Sequence, residues 1–185
     1  SSYRLLALYQ KRLLDTIKYI ANSCGVNFES GWSKYSNAAT HGNRASLDRW
    51  SWDWLSLYLY EFNFGAITIG ENNYHLKIVH QADTGFYDAN QNKKINKVNP
   101  EQFADADTSI TRLFFVLSKN DNGCSIHHVL KDNLKAQDIS QISIGNWLAI
   151  PYDLERFANQ ETTDVVLKEF DDACKIQFGV NLLPN

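Results

Sequence analysis

The sequence predicts a single α+β domain, residues 1–185, in which N-terminal and C-terminal helices pack on a mixed, mostly antiparallel sheet of about five strands. Three observations carry this expectation. Helical periodicity marks both ends of the chain. A two-residue alternation of rings runs from Trp50 to Phe64. Between and after these segments come short apolar runs separated by turn residues. A chain of 185 residues is most simply one domain. At 44% hydrophobic and 21% charged it is apolar enough for a sizeable core.

Residues 3–23 read as an amphipathic helix. Leu6, Tyr9, Leu13, Ile17 and Ile20 recur at spacings of three and four, and Arg4, Lys11, Asp15, Lys18 and Asn22 take other faces. Gly25 stands where a helix C-terminus is closed. Residues 27–46 are rich in Ser, Asn, Gly and Thr and read as an ordered loop anchored by Trp32 and Tyr35.

Then comes the aromatic ladder. Trp50, Trp52, Trp54, Tyr58, Tyr60, Phe62 and Phe64 all stand at even positions, with Ser56 the one interruption. Alternate residues of a strand share a face, so 55–64 reads as a strand with a wall of rings on one side. Residues 47–54 fit either a strand or a short helix capped by Ser46, because Leu47, Trp50 and Trp54 also match helical spacing. Gly65–Gly70 reads as a turn-and-strand unit, Asn72-Asn73 as a turn, and Tyr74–Gln81 as the next strand. Residues 83–108 are polar, include Pro100 and read as a long loop.

Ile110–Ser118 is a buried strand, closed by Asp121-Asn122-Gly123. Residues 125–136 read as a helix, and Ile142–Ile150 as a strand ending at Pro151. Asp153 stands where it could cap a short turn. Thr162 or Thr163 would cap a final helix with Val166, Phe170, Ala173 and Cys174 inward and Gly179 at its end.

Net charge is −3, so the totals show none of the basic footprint on which nucleic-acid binding rests. The cysteines Cys24, Cys124 and Cys174 are odd in number and widely spaced, with no CxxC pair, which fits a reduced, cytoplasmic protein. Lys11 and Arg12 interrupt the first apolar stretch, which argues against a signal peptide. No run approaches the roughly 18 apolar residues of a membrane span, so no membrane role is expected.

No GxSxG, Walker A, GxGxxG or HExxH motif is present. Three candidate sites remain. The ladder is most simply core beneath the terminal helices, but its first end could extend beyond that core. Trp50, Trp52, Asp53, Trp54 and Tyr58 would then form an aromatic patch for a protein partner, since Trp and Tyr dominate binding hot spots. The same rings could instead stack on a sugar or a base. Second, Glu61, Glu71, Lys77, His80 and Asp83 lie on or beside neighbouring strands, where a metal-dependent nuclease would set carboxylates and a Lys around Mg²⁺. His75 stands where such a site expects an acid two residues before its Lys. Third, Asp88, Asn90 and Asn92 resemble the first half of a calcium loop, but Lys93 replaces the glycine of its sharp turn. A plain polar loop is the simpler reading.

His127-His128 cannot supply the i, i+4 pair of a helical metal site, and His41 has no partner visible in sequence. The leading expectation is therefore a non-enzymatic protein-binding domain that needs no cofactor. Its partner would be another protein, met through an aromatic patch with acidic surroundings, and a bacterial immunity or inhibitor protein is one concrete form. The rivals are the metal-dependent hydrolase and the small-ligand stacking module.

Overall fold

The computed structural model describes residues 2–33, 58–85, 101, 103–121 and 141–184. Several expectations fall outside these residues: the choice of helix or strand over 47–54, Trp50, Trp52, Asp53 and Trp54, the loop carrying Asp88, Asn90 and Asn92, and the helix over 125–136.

Helix α1 spans Ser2–Ser23 and buries Leu13, Leu14, Ile17, Ile20 and Ala21. Its end is set by Gly25, at φ +66°. There the Val26 N–H donates to the Ala21 carbonyl and the Gly25 N–H to the Asn22 carbonyl. This double closure satisfies carbonyls that the helix leaves open, and only a residue without Cβ adopts that φ at little cost. Leu6, expected on the inner face, is 45% exposed.

Six strands follow: β1 (Phe28–Ser33), β2 (Leu59–Ile69), β3 (Asn72–Gln81), β4 (Arg112–Lys119), β5 (Ile142–Ile144) and β6 (Trp147–Asp153). Their order in the sheet is β1-β2-β3-β4-β6-β5. All five pairings are antiparallel. The expected α+β domain is present; among the described residues it has six strands, where about five are expected, and no parallel pair.

Four local expectations are corrected. Strand β1 replaces the first part of the expected loop. Its Ser and Gly residues hide the strand signal because it is the outermost strand and packs little of its own side-chain bulk. Strand β2 does not stop at Phe64 but runs to Ile69, through a register shift between Asn63 and Ala66. A bulge takes up the extra residue there and spares the ladder on either side. The expected Ile142–Ile150 strand is a hairpin, turned at Gly145 with φ +57°. Strand β6 also continues through Pro151 to Asp153. Pro lacks an N–H, but β5 pairs only with Trp147–Ala149, so Pro151 takes none of β6's bonds on that side.

Helix α2 (Gln160–Phe178) is capped by Asn159, not by Thr162 or Thr163. The Asn159 side chain accepts from the Thr162 N–H, and the Thr162 hydroxyl accepts from the Asn159 N–H. Thr162 thus completes a reciprocal capping box. Gly179 closes the helix at φ +72°, as its position predicts. A 3-10 turn over Leu154–Phe157 joins β6 to α2, and Arg156 donates to the Glu169 carboxylate from both terminal guanidinium nitrogens.

Both helices pack on one face of the sheet. The shared core takes Leu13, Leu14, Ile17 and Ile20 from α1, and Val166, Leu167, Phe170 and Cys174 from α2. The sheet answers with Tyr60, Phe62 and Phe64, alternate positions of the ladder, and with Phe115 at the centre. Phe115 meets Tyr152, Phe157 and Phe170 at ring separations of 5.3, 5.7 and 5.3 Å. These are favourable edge and offset contacts between rings.

Gly31 opens space for that wall. A Cβ there would lie 2.0 Å from the Tyr60 hydroxyl and 2.6 Å from its ring. Tyr60 is fully buried and cannot swing aside. Gly65 contrasts with it, since a Cβ there would meet only the carboxylate end of Glu29. Gly31→Ala is therefore expected to destabilise the fold by about 1–3 kcal/mol, and Gly65→Ala by less than about 1 kcal/mol. Urea denaturation of the two variants side by side checks the difference.

Candidate functional site

The period of two that places rings beneath the helices sends the polar strand residues to the other face. Register sets Glu61, Val79 and Phe114 in one row, Asn63, Lys77 and Val116 in the next, and Gln81 opposite Arg112. This second face is also buried, and it holds charge. Lys77 lies 3.2 Å from Glu61, with side chains 8% and 16% exposed. The Lys77 ammonium also lies 5.8 Å from the centre of the Trp147 ring. Arg112 is 2% exposed; its Nε donates to the Gln81 amide oxygen at 2.6 Å, and its guanidinium lies 4.8 Å from the Phe114 ring centre. The Trp147 indole N–H donates to Asp121 at 3.0 Å, and the Ser118 hydroxyl donates to the Asp121 carbonyl at 2.6 Å.

Burial makes these contacts necessary. A buried charge without partners costs several kcal/mol, so each cation here holds an acceptor and a ring. Sequence reading picked out Glu61 and Lys77 but passed over Arg112, Gln81 and Asp121. The signal that could have found Arg112 is its place at the head of the apolar run LFFVL, where a charge must be paired.

The five residues of the hydrolase reading do not share a cleft. Glu61 and Lys77 pair on the second face. His80 is on the helix face, where its Nε2 is 2.7 Å from the Tyr9 hydroxyl. Glu71 precedes β3 in the turn at one end, and Asp83 follows β3 at the other. At about 3.3 Å per residue those two carboxylates are separated by the length of the strand. The Asp83 carboxylate accepts from the Gly85 N–H at 2.8 Å, shaping its own turn. Among the described residues, no cluster of three or more His, Cys, Asp or Glu could hold a metal ion. His80 is fully buried, and burial holds its pKa down to about 3, so the ring is neutral. Burial, with a smaller contribution from the Asp171 carboxylate, pushes the Cys24 thiol up to about 12 and raises Cys174 as well. Neither thiol is a ready nucleophile at neutral pH.

Tyr58 is the described end of the aromatic run and the member of the expected patch that is seen. It stands just before β2 at φ +59°, a backbone conformation costly for a ring-bearing residue. Its carbonyl accepts from the Ala82 N–H at 2.9 Å. Its ring meets Phe103 edge-on at 5.2 Å. Burial, and after it the Asp83 charge, raise the Tyr58 phenol. Asp105 caps a 3-10 turn over Ala106–Thr108 that also carries Asp107, so acidic residues follow Phe103 closely along the chain. Trp32 on β1, opposite Glu61, is 63% exposed.

The chain belongs to the PM0109 family. The family model matches residues 1–179, which takes in every helix and strand described above. No curated protein matches the chain, and no solved structure does. No disulfide joins Cys24 or Cys174. Among the described residues, no helix is long and apolar enough to cross a membrane.

Two outcomes test this geometry. Glu61→Ala leaves the Lys77 charge buried with fewer acceptors and is expected to cost about 2 kcal/mol. Glu61→Leu with Lys77→Met removes both charges and is expected to recover most of that loss in urea denaturation. For His80, the folded pKa lies below the unfolded value of about 6.5, so the unfolded chain binds the proton first. The contribution of the neutral ring is thus fully present above pH ~6.5 and is lost progressively as pH falls toward 3. Between pH ~7 and pH ~5 it is expected to lower stability by about 2 kcal/mol, and His80→Gln is expected to flatten that slope.

Proposed function

We propose that this protein is a non-enzymatic, cytoplasmic binding domain. It recognises another protein through Trp50, Trp52, Asp53, Trp54 and Tyr58, an aromatic patch with an acidic rim. An inhibitor of the bacterial immunity type is the form that fits best. Such a protein meets its partner by complementary charge and anchors it with rings.

One observation carries the reading. Tyr58 is held in a left-handed backbone conformation, edge-on to Phe103 and beside the Asp83 carboxylate. A strained aromatic residue points to a use other than packing, because packing alone would select a relaxed one. The acids near it suit a partner with a basic surface. The net charge of −3 would steer such a partner in and would oppose nucleic acid.

The test is a pull-down from lysate of the source organism, with a Trp52→Ala/Trp54→Ala variant alongside. A stoichiometric protein retained by the wild type and lost by the variant is the expected outcome. Circular dichroism and thermal melting must show the variant folded. Retention of the same protein by both forms, or of none by either, would sink the proposal.

A further inference from the structure

A second apolar surface lies on helix α1. Its first turns expose Tyr3, Leu5 and Leu8 at 86%, 70% and 63%. Helical spacing aligns Leu5 with Tyr9, and Leu8 with Arg12, one turn later. Tyr9, Arg12, Leu13 and Thr16 then form one wall of a groove of about 340 Å³, whose other wall is the segment Leu154–Ala158 with Leu154 and Phe157. The exposed leucines thus continue an apolar groove along the helix. The groove's walls are firmly held. Tyr9 is tied to the buried His80, and Arg12 Nη2 donates to the Ala158 carbonyl at 2.6 Å.

The α1 side of this surface is cationic, and Glu155, on the facing wall, is the one carboxylate among the residues that line the groove. Residues 2–14 contain Arg4, Lys11 and Arg12 and no acidic residue, although the whole chain carries −3. Lys11 pairs with Asp15 at 2.7 Å. Among the described residues no carboxylate pairs with Arg4 or Arg12. Arg4, Leu8 and Arg12 recur every four residues, so cationic groups alternate with an apolar one along the rim.

We propose that the α1 groove and its leucine stripe are a docking site for an acidic amphipathic helix of a partner protein. Apolar side chains at i, i+4 and i+7 of that helix would enter the groove and cover Leu5 and Leu8, and its flanking carboxylates would meet Arg4 and Arg12. Two other occupants fit less well. A second copy's α1 would set Arg4 and Arg12 against their like. An anionic membrane would meet the charges, but a flat bilayer surface cannot fill a concave groove between two walls. The inference does not rest on the aromatic patch, since none of that patch's residues belongs to α1.

The probe is a fluorescein-labelled helical peptide with Leu at i, i+4 and i+7 and Glu on its flanks. A twin carries Lys in place of Glu. Anisotropy titration is expected to show saturable binding of the Glu peptide, roughly tenfold or more tighter than the twin. Leu8→Glu and Arg12→Glu should each weaken it by a similar factor, with Leu5→Glu as a second exposed substitution should either variant misfold by circular dichroism. Equal affinity for both peptides, indifference to the substitutions, or no saturable binding would overturn the proposal. So would sedimentation with phosphatidylserine vesicles that the Glu peptide does not compete, which assigns the face to membrane. Self-association that Leu8→Glu abolishes, with no peptide bound, would assign it to a second copy.

Discussion

Strand β4 must be dry on both faces. Every residue from Arg112 to Ser118 is buried, and β4 sits between β3 and β6 with all its backbone pairing used by them. Leu113, Phe115 and Leu117 face the helices, and Arg112, Phe114, Val116 and Ser118 face the other way. The first set fixes where α1 and α2 rest, because Phe115 is the ring against which Tyr152, Phe157 and Phe170 close. The second set brings a guanidinium and a hydroxyl into the interior. Those groups require Gln81 and Asp121 at the positions where they stand. Burial of a strand on both sides thus creates a demand for partners that neighbouring strands must meet.

The same constraint explains the polar side of β3. Lys77 and Gln81 lie on the second face and His80 on the helix face, and each is buried. Lys77 has Glu61 from β2, and His80 has Tyr9 from α1. A pairing between helix and strand that is polar, specific and enclosed fixes the register of α1 on the sheet more narrowly than leucines alone can, since apolar contact tolerates sliding and a hydrogen bond does not. At the far end of the chain Asp171 does comparable work, accepting from the Leu182 and Leu183 N–H groups and holding the tail on the core.

Much of the fold was legible in the chain. Helix α1 showed in its spacing and in Gly25, α2 in Val166, Phe170 and Gly179, β3 in the Asn72-Asn73 turn signal before it, and β4 in a run too apolar to be anything but buried. What escaped notice has physical causes. Strand β1 is an edge, so its side chains carry little hydrophobic signal, and its Gly31 reads as a loop residue when its role is to clear space for Tyr60. The cap at Asn159 was passed over because Thr162, three residues on, is itself a good capping residue and belongs to the same motif. The hairpin at Gly145 was merged into one strand because two strands separated by a two-residue turn look like one apolar run. The candidate site was less legible than the fold. Periodicity tells which face a residue takes, but not how far along neighbouring strands it lies from another, and so Glu71 and Asp83 looked close in a list while standing at opposite ends of β3.

Charge and apolarity are partly exchanged from their usual places in this molecule. Lys77, Arg112, Glu61 and His80 are inside, and Leu5, Leu8, Trp32 and Ile176 are outside. A buried ion pair is weak evidence for catalysis, because its geometry is already accounted for by the need to be paired. Exposed large apolar side chains are the more informative anomaly. Scattered singly they need no explanation, but on α1 they are neighbours on a helix, they border a groove, and the charged residues among 2–14 beside them share one sign. Among the described residues, the need to be paired accounts for the buried Lys77, Arg112 and His80. It leaves the surface of α1 and the strained Tyr58 unexplained, and those are the features for which binding supplies a reason.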